Sequence, residues 1–160
     1  MRPLLYLAAV LATGLIAAAA NGQGPSVRPE IGKPIQAASD LIKAKRGKEA
    51  LAKVREAQAV SNKTAYESYL IDRVLGLASA SAGDHSGAAR AFESVIASPA
   101  IPDGEKRQFL AAAAGQHYAA KEYGRAADLA GRYLRDGGGD GSVRTIYVQA
   151  LYLEIGRAHV

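Results

Sequence analysis

The chain has 160 residues, 49% of them hydrophobic, and no cysteine. Without cysteine it has no disulfide framework, thiol chemistry, cysteine-ligated metal or lipid-attachment cysteine of a bacterial lipoprotein. The formal net charge of +5 is scattered, and only Lys43-Ala44-Lys45-Arg46-Gly47-Lys48 forms a basic cluster. That cluster lies at a predicted helix end, where positive charge favours the dipole. A nucleic-acid footprint needs a stripe of Lys and Arg along one face, so no nucleic-acid partner is expected.

Met1-Arg2-Pro3 is a short positive start, and the apolar run from Leu4 to Ala20 is interrupted only by Thr13 and Gly14. It closes on Ala18-Ala19-Ala20, small residues of the kind a signal peptidase accepts. The run is near the lower limit of roughly 17–25 residues for a membrane-spanning helix and lacks positive residues on its far side. Residues 1–20 are therefore read as a secretory signal, which implies a periplasmic location and no stable membrane span after cleavage. Residues 21–30 contain Gly and Pro without periodicity and read as a flexible lead-in.

A first helix is predicted from about Ile31 to Lys45, with Ile35, Ala38, Leu41 and Ile42 at helical spacing and Pro34 tolerated in the first turn. Gly47 breaks the pattern, and a second helix follows from about Lys48 to Val60. Ser61 to Thr64 is a turn, and Thr64 with Glu67 three residues on fits a capping box. Helices are then predicted from about Ala65 to Ala82, Ser86 to Ser98, Asp103 to Ala120, and from the Lys121-Glu122 turn to Arg135. Gly137 to Gly141 reads as a flexible break, after which Ser142 caps a seventh helix carrying Tyr147, Leu151 and Leu153. No stretch alternates as a strand. The expected class is all-α, built as αα-hairpins with short turns. There are about three helix pairs and one extra helix, whose missing mate leaves apolar surface around Tyr147 and Leu151.

The last seven residues, Glu154-Ile155-Gly156-Arg157-Ala158-His159-Val160, resemble the translation of a common short-read sequencing adapter. Residues 154–160 are accordingly expected to be a non-native tail, with the natural protein continuing beyond this chain. Setting aside Arg2, Glu154 and Arg157 leaves 18 basic and 14 acidic residues, a charge of +4.

Ala50, Ala88 and Ala126 are spaced 38 residues apart, and Ala38, Gly76 and Ala114 repeat the spacing twelve residues upstream. A period of roughly 20–50 residues marks a stacked repeat architecture. Small residues at a helix crossing permit a close approach, within the usual interaxial range of roughly 8–10 Å.

These phrases resemble the tetratricopeptide repeat family. Leu75-Gly76 is similar to its Leu-Gly pair, Gly83-Asp84 and Lys121-Glu122-Tyr123 to its turn, and Ala88, Phe92 and Pro99 to its Ala, Phe and terminal Pro. The resemblance covers about Ile31 to Leu153. The chain departs from the pattern in its period of 38 rather than 34, in the missing first-helix Trp and Tyr, and in Tyr133 at a usually small position.

The resemblance implies a solenoid whose first helices line an inner face that holds a peptide or partner helix. Mapped by register, that face contains Ile35, Ser39, Ile42 and Lys43, then Leu70, Arg73, Leu77 and Ser81, then Gln108, Ala111 and Tyr118. Arg73 and Tyr118 stand out because Arg and Tyr are enriched in interface hot spots.

Nothing in the chain spells an active site. His85 and His117 lack an acid at metal-ligand spacing and read as ordinary surface or groove histidines. The glycine run lacks the Gly-Lys-Ser/Thr ending of a phosphate loop. Asp136 and Asp140 lack EF-hand spacing, and Ser142 lacks a nucleophile-elbow context. No enzyme activity, cofactor or metal is expected. The expected function is a non-catalytic interaction scaffold of the bacterial cell envelope. The alternatives are an accessory repeat domain of a larger envelope enzyme and a module that binds a cell-wall polymer.

Overall fold

The computed structural model describes residues 26–158, which form seven α-helices and no strand. The helices are α1 (Pro29–Lys43), α2 (Gly47–Gln58), α3 (Ala65–Ser81), α4 (His85–Ala97), α5 (Glu105–Ala119), α6 (Tyr123–Arg135) and α7 (Gly141–Ala158). Each helix packs on the next, and α1 also meets α3 while α5 meets α7. No helix among the described residues is long and apolar enough to cross a membrane. The expected signal, residues 1–20, lies outside the described residues, as do His159 and Val160 of the expected tail.

The hairpin turns repeat one backbone device. The residues following the C-caps of α1, α3 and α5 have left-handed φ, 58° at Lys45, 80° at Gly83 and 62° at Lys121, and these positions are 38 residues apart. In each case the following amide returns to the carbonyl five residues back: Arg46 to Leu41 at 2.8 Å, and Asp84 to Ser79 and Glu122 to His117 at 2.9 Å. This Schellman closure satisfies carbonyls that a helix end leaves without partners. α6 closes in the same way, with φ of 80° at Gly137 and the Gly138 amide 2.9 Å from the Tyr133 carbonyl.

All six small positions of the register are buried, and the five alanines among them are fully inaccessible. Gly76 shows why: a Cβ there would run into the ring of Phe92 on α4. Around these contacts Ile31, Val54, Ile71 and Val74 join α1, α2 and α3 in one apolar cluster. A larger cluster runs from Tyr69 through Phe92, Phe109 and Leu110 to Val143. α3 contributes to both, as expected of a helix that is apolar on more than one side.

Three local features differ from the sequence expectations. α1 starts at Pro29, so Pro34 lies in its second turn, where its ring removes the bond an amide would make to Glu30. The lead-in ends in an anchor: the Arg28 Nε donates to Glu67 Oε1 and an Arg28 Nη donates to Oε2, each at 2.9 Å. Ser142 does not cap α7; instead Asp140 Oδ1 accepts from the Ser142 amide and hydroxyl, both at 2.8 Å. Within the glycine run before it, Gly138 packs against the ring of buried Tyr133 while Gly137, Gly139 and Gly141 are exposed. The Tyr133 hydroxyl also accepts from the Asp140 amide at 3.1 Å. α7 then continues without a break through Leu153 to Ala158.

Candidate functional site

The predicted inner-face residues occupy different environments. Leu70, Arg73 and Leu77 follow one another at helical spacing along α3 and form one stripe. Leu70 packs on the larger core cluster, whereas Leu77 is 44% exposed. Arg73 is tied into the fold: its guanidinium donates to the Tyr69 hydroxyl at 3.2 Å, lies 3.5 Å from Glu105, and sits 5.8 Å from the centre of the Phe109 ring. Tyr69 in turn donates to Glu105 at 2.7 Å. Burial and that carboxylate hold its phenol above the ordinary value. Arg73 is thus a strut between α3 and α5.

On α1, Ile35 and Ile42 are half-buried against the first core cluster. The Ser39 hydroxyl donates to the Ile35 carbonyl at 2.9 Å, and exposed Lys43 pairs with Asp40 at 3.2 Å. On α5, Gln108 is exposed and Ala111 half-buried. Tyr118, near the end of α5, donates to Gln149 Oε1 of α7 at 2.9 Å, and its ring lies 5.6 Å from that of Tyr123. It lines an apolar hollow of about 420 Å³ with Val148, Tyr152 and Leu153. The structure therefore brings Leu70, Arg73 and Leu77 together, links Arg73 to the start of α5, and places Tyr118 against α7. Ser81 is exposed at the end of α3.

His117 is a correction to the expected surface histidine. It is fully buried, with Nδ1 2.6 Å from Glu122 and Nε2 3.1 Å from Glu93. The Ser86 hydroxyl donates to Glu122 at 2.8 Å, and Arg125 donates to Glu93 at 3.2 Å. The Ser86 hydroxyl and the imidazole together hold the Glu122 carboxyl below the usual range. Both ring nitrogens are engaged inside the fold, so the imidazole locks α4, α5 and α6 together and has no nitrogen directed at a substrate. The signal was hard to read because the Glu93 partner lies 24 residues away, on a neighbouring helix. His85 is exposed, and its Nδ1 meets Gln116 Oε1 at 2.9 Å. Among the described residues no group of three or more His, Asp or Glu side chains is arranged to hold a metal ion.

The structure defines a class, an all-helical chain of sequentially packed helices with open apolar positions on α3 and α7. No family model, no curated protein and no solved structure matches the chain.

Proposed function

We propose that this chain is a non-catalytic interaction scaffold of the bacterial cell envelope. In this reading it is a tetratricopeptide-like array of αα-hairpins that holds a peptide or partner helix on the face carried by its first helices. One observation carries the binding face. Ahead of the expected tail, the exposed large hydrophobic residues among the described ones are Leu77, Val148, Leu151 and Tyr152. All of them lie on α3 or α7, first helices in the hairpin register. Leu77 on α3 carries the face, because α3 has its mate and still leaves this side chain open, whereas the α7 surface around Leu151 is what the missing mate of α7 would cover. The 38-residue recurrence of buried small residues and of left-handed turn residues supports the repeat reading. The positive start and apolar run of residues 1–20 support export.

The test is capture from envelope extract by the immobilised chain, compared with Leu77→Glu combined with Tyr118→Ala. Arg73 is left in place because it braces α3 against α5. Two lost hot spots weaken capture by roughly 30-fold or more, with helicity by circular dichroism unchanged. Equal capture by the double variant would remove this face from the account.

A further inference from the structure

Two carboxylates meet one imidazole between α4, α5 and α6. His117 is fully buried, with Nδ1 2.6 Å from Glu122 Oε2 and Nε2 3.1 Å from Glu93 Oε1. Glu93 belongs to α4 and Glu122 immediately precedes α6, so the ring links α5 to both neighbours. The same register position holds Leu41 in the first unit and Ser79 in the second. Only the third hairpin is closed by a titratable ring.

The count of hydrogens decides the charge of that ring. A neutral imidazole has one N–H and one lone pair, whereas an ionised carboxylate only accepts. With a neutral ring, one nitrogen would face a carboxylate oxygen with no hydrogen between them. Burial by itself favours the neutral form, but a buried contact between two acceptors leaves both without a bond. An imidazolium donates through both nitrogens and satisfies both carboxylates.

The surrounding charges agree. Arg125, in the first turn of α6, donates to Glu93 at 3.2 Å, and the Ser86 hydroxyl of α4 donates to Glu122 at 2.8 Å. With a protonated ring, His117, Arg125, Glu93 and Glu122 sum to zero; with a neutral ring they carry an excess negative charge in the fold. The other charged groups near this end of α5 face elsewhere. Lys121 lines the hollow against α7, the Glu154 carboxylate of α7 lies beside Gly124, and His85 meets Gln116. The Ser86 hydroxyl first, and then the imidazole, hold the Glu122 carboxyl below its usual range, as expected of an acid that gains a donor and a cation.

We propose that His117 is an imidazolium in the folded chain at neutral pH, and that its second proton is a latch holding α5 to α4 and α6. In the unfolded chain the solvated ring gives that proton to water once the pH exceeds about 6.5. Folding therefore takes up one proton above that pH. The stability contributed by the latch is fully present below about 6.5 and declines as the pH rises. The latch stands whether or not the Leu77 face binds a partner.

The experiment is an NMR spectrum of the imidazole nitrogens of the full chain at about pH 7.5, where a free histidine carries mainly one ring proton. His85→Gln and His159→Gln leave His117 as the ring observed. Two protonated nitrogens are expected. Glu93→Gln keeps the side-chain shape and places a carboxamide, which can donate to the lone pair of a neutral ring, against Nε2. The same spectrum then shows one protonated nitrogen, with circular dichroism unchanged. In urea unfolding between about pH 7 and 8, the folding constant of the parent falls up to tenfold more per pH unit than that of Glu93→Gln, the slope of one proton. A single protonated nitrogen in the parent, two in Glu93→Gln, or equal pH slopes overturns the proposal.

Discussion

Gly47→Ala is expected to cost about 3 kcal/mol of stability or more, measured as a lowered urea midpoint at unchanged m. Gly47 is the buried first residue of α2, and a Cβ there would enter the backbone of Ser81 and Ala82 at the end of α3. A flexible side chain could move aside; two helix-terminal peptide units cannot without separating α2 from α3. The sign is diagnostic because alanine in a helix interior is ordinarily about 1 kcal/mol better than glycine. Gly115 supplies the control, since it is inside α5 and a Cβ would meet nothing within 4 Å. Gly115→Ala is expected to gain roughly 0.5–1 kcal/mol. If both substitutions stabilise, the close seating of α2 on α3 is wrong.

Glu67→Ala is expected to lower Tm by about 10 °C at neutral pH. The Glu67 side chain is 1% exposed and holds three segments at once. It accepts from Arg28 ahead of α1 and from the Thr64 amide at 2.9 Å, while its own amide donates to the Thr64 hydroxyl at 3.1 Å. Arg28 also donates to the Ser61 and Asn62 carbonyls at 3.2 Å, which fixes the α2–α3 turn. The Arg28 guanidinium first, and then the Thr64 amide, hold the Glu67 carboxyl at about 2 rather than its ordinary 4.5. In the unfolded chain the group titrates at the ordinary value. Its contribution to stability is therefore fully present above about 4.5 and disappears as pH falls towards about 2. The Tm difference between wild type and Glu67→Ala should shrink across that window. A difference that stays constant down to the acid end would show that the carboxylate charge is not what holds the clasp.

The helices were legible because their apolar spacing, capping residues and Gly/Pro breaks agree. Thr64 and Glu67 form the capping box that their three-residue spacing predicts, and Gly83 takes the left-handed turn that glycine favours. Lys45 and Lys121 adopt the same conformation with nothing in their side chains to announce it; only their position in the 38-residue register does. The second role of Glu67 was hidden, since Arg28 lies 39 residues away in a segment without periodicity. The proposed face is a reading of the register, and of its α3 residues Leu77 is exposed. What the register could not convey is that Arg73 braces α3 against α5, because that depends on where Tyr69, Glu105 and Phe109 meet in space. His117 is similar: Glu122 follows it by only five residues, but the burial that makes the pair matter depends on Glu93, 24 residues away on α4.

The central claim is that small residues recurring every 38 positions set how closely the helices cross. It is tested most directly by urea unfolding of Ala50→Leu, Ala88→Leu and Ala126→Leu, each at a fully buried position, beside Ala52→Leu, Ala97→Leu and Ala119→Leu at exposed ones. The account predicts a loss of about 1–3 kcal/mol or more at each register position and changes within about 0.5 kcal/mol at the exposed alanines. Register leucines tolerated as well as the exposed ones would contradict it.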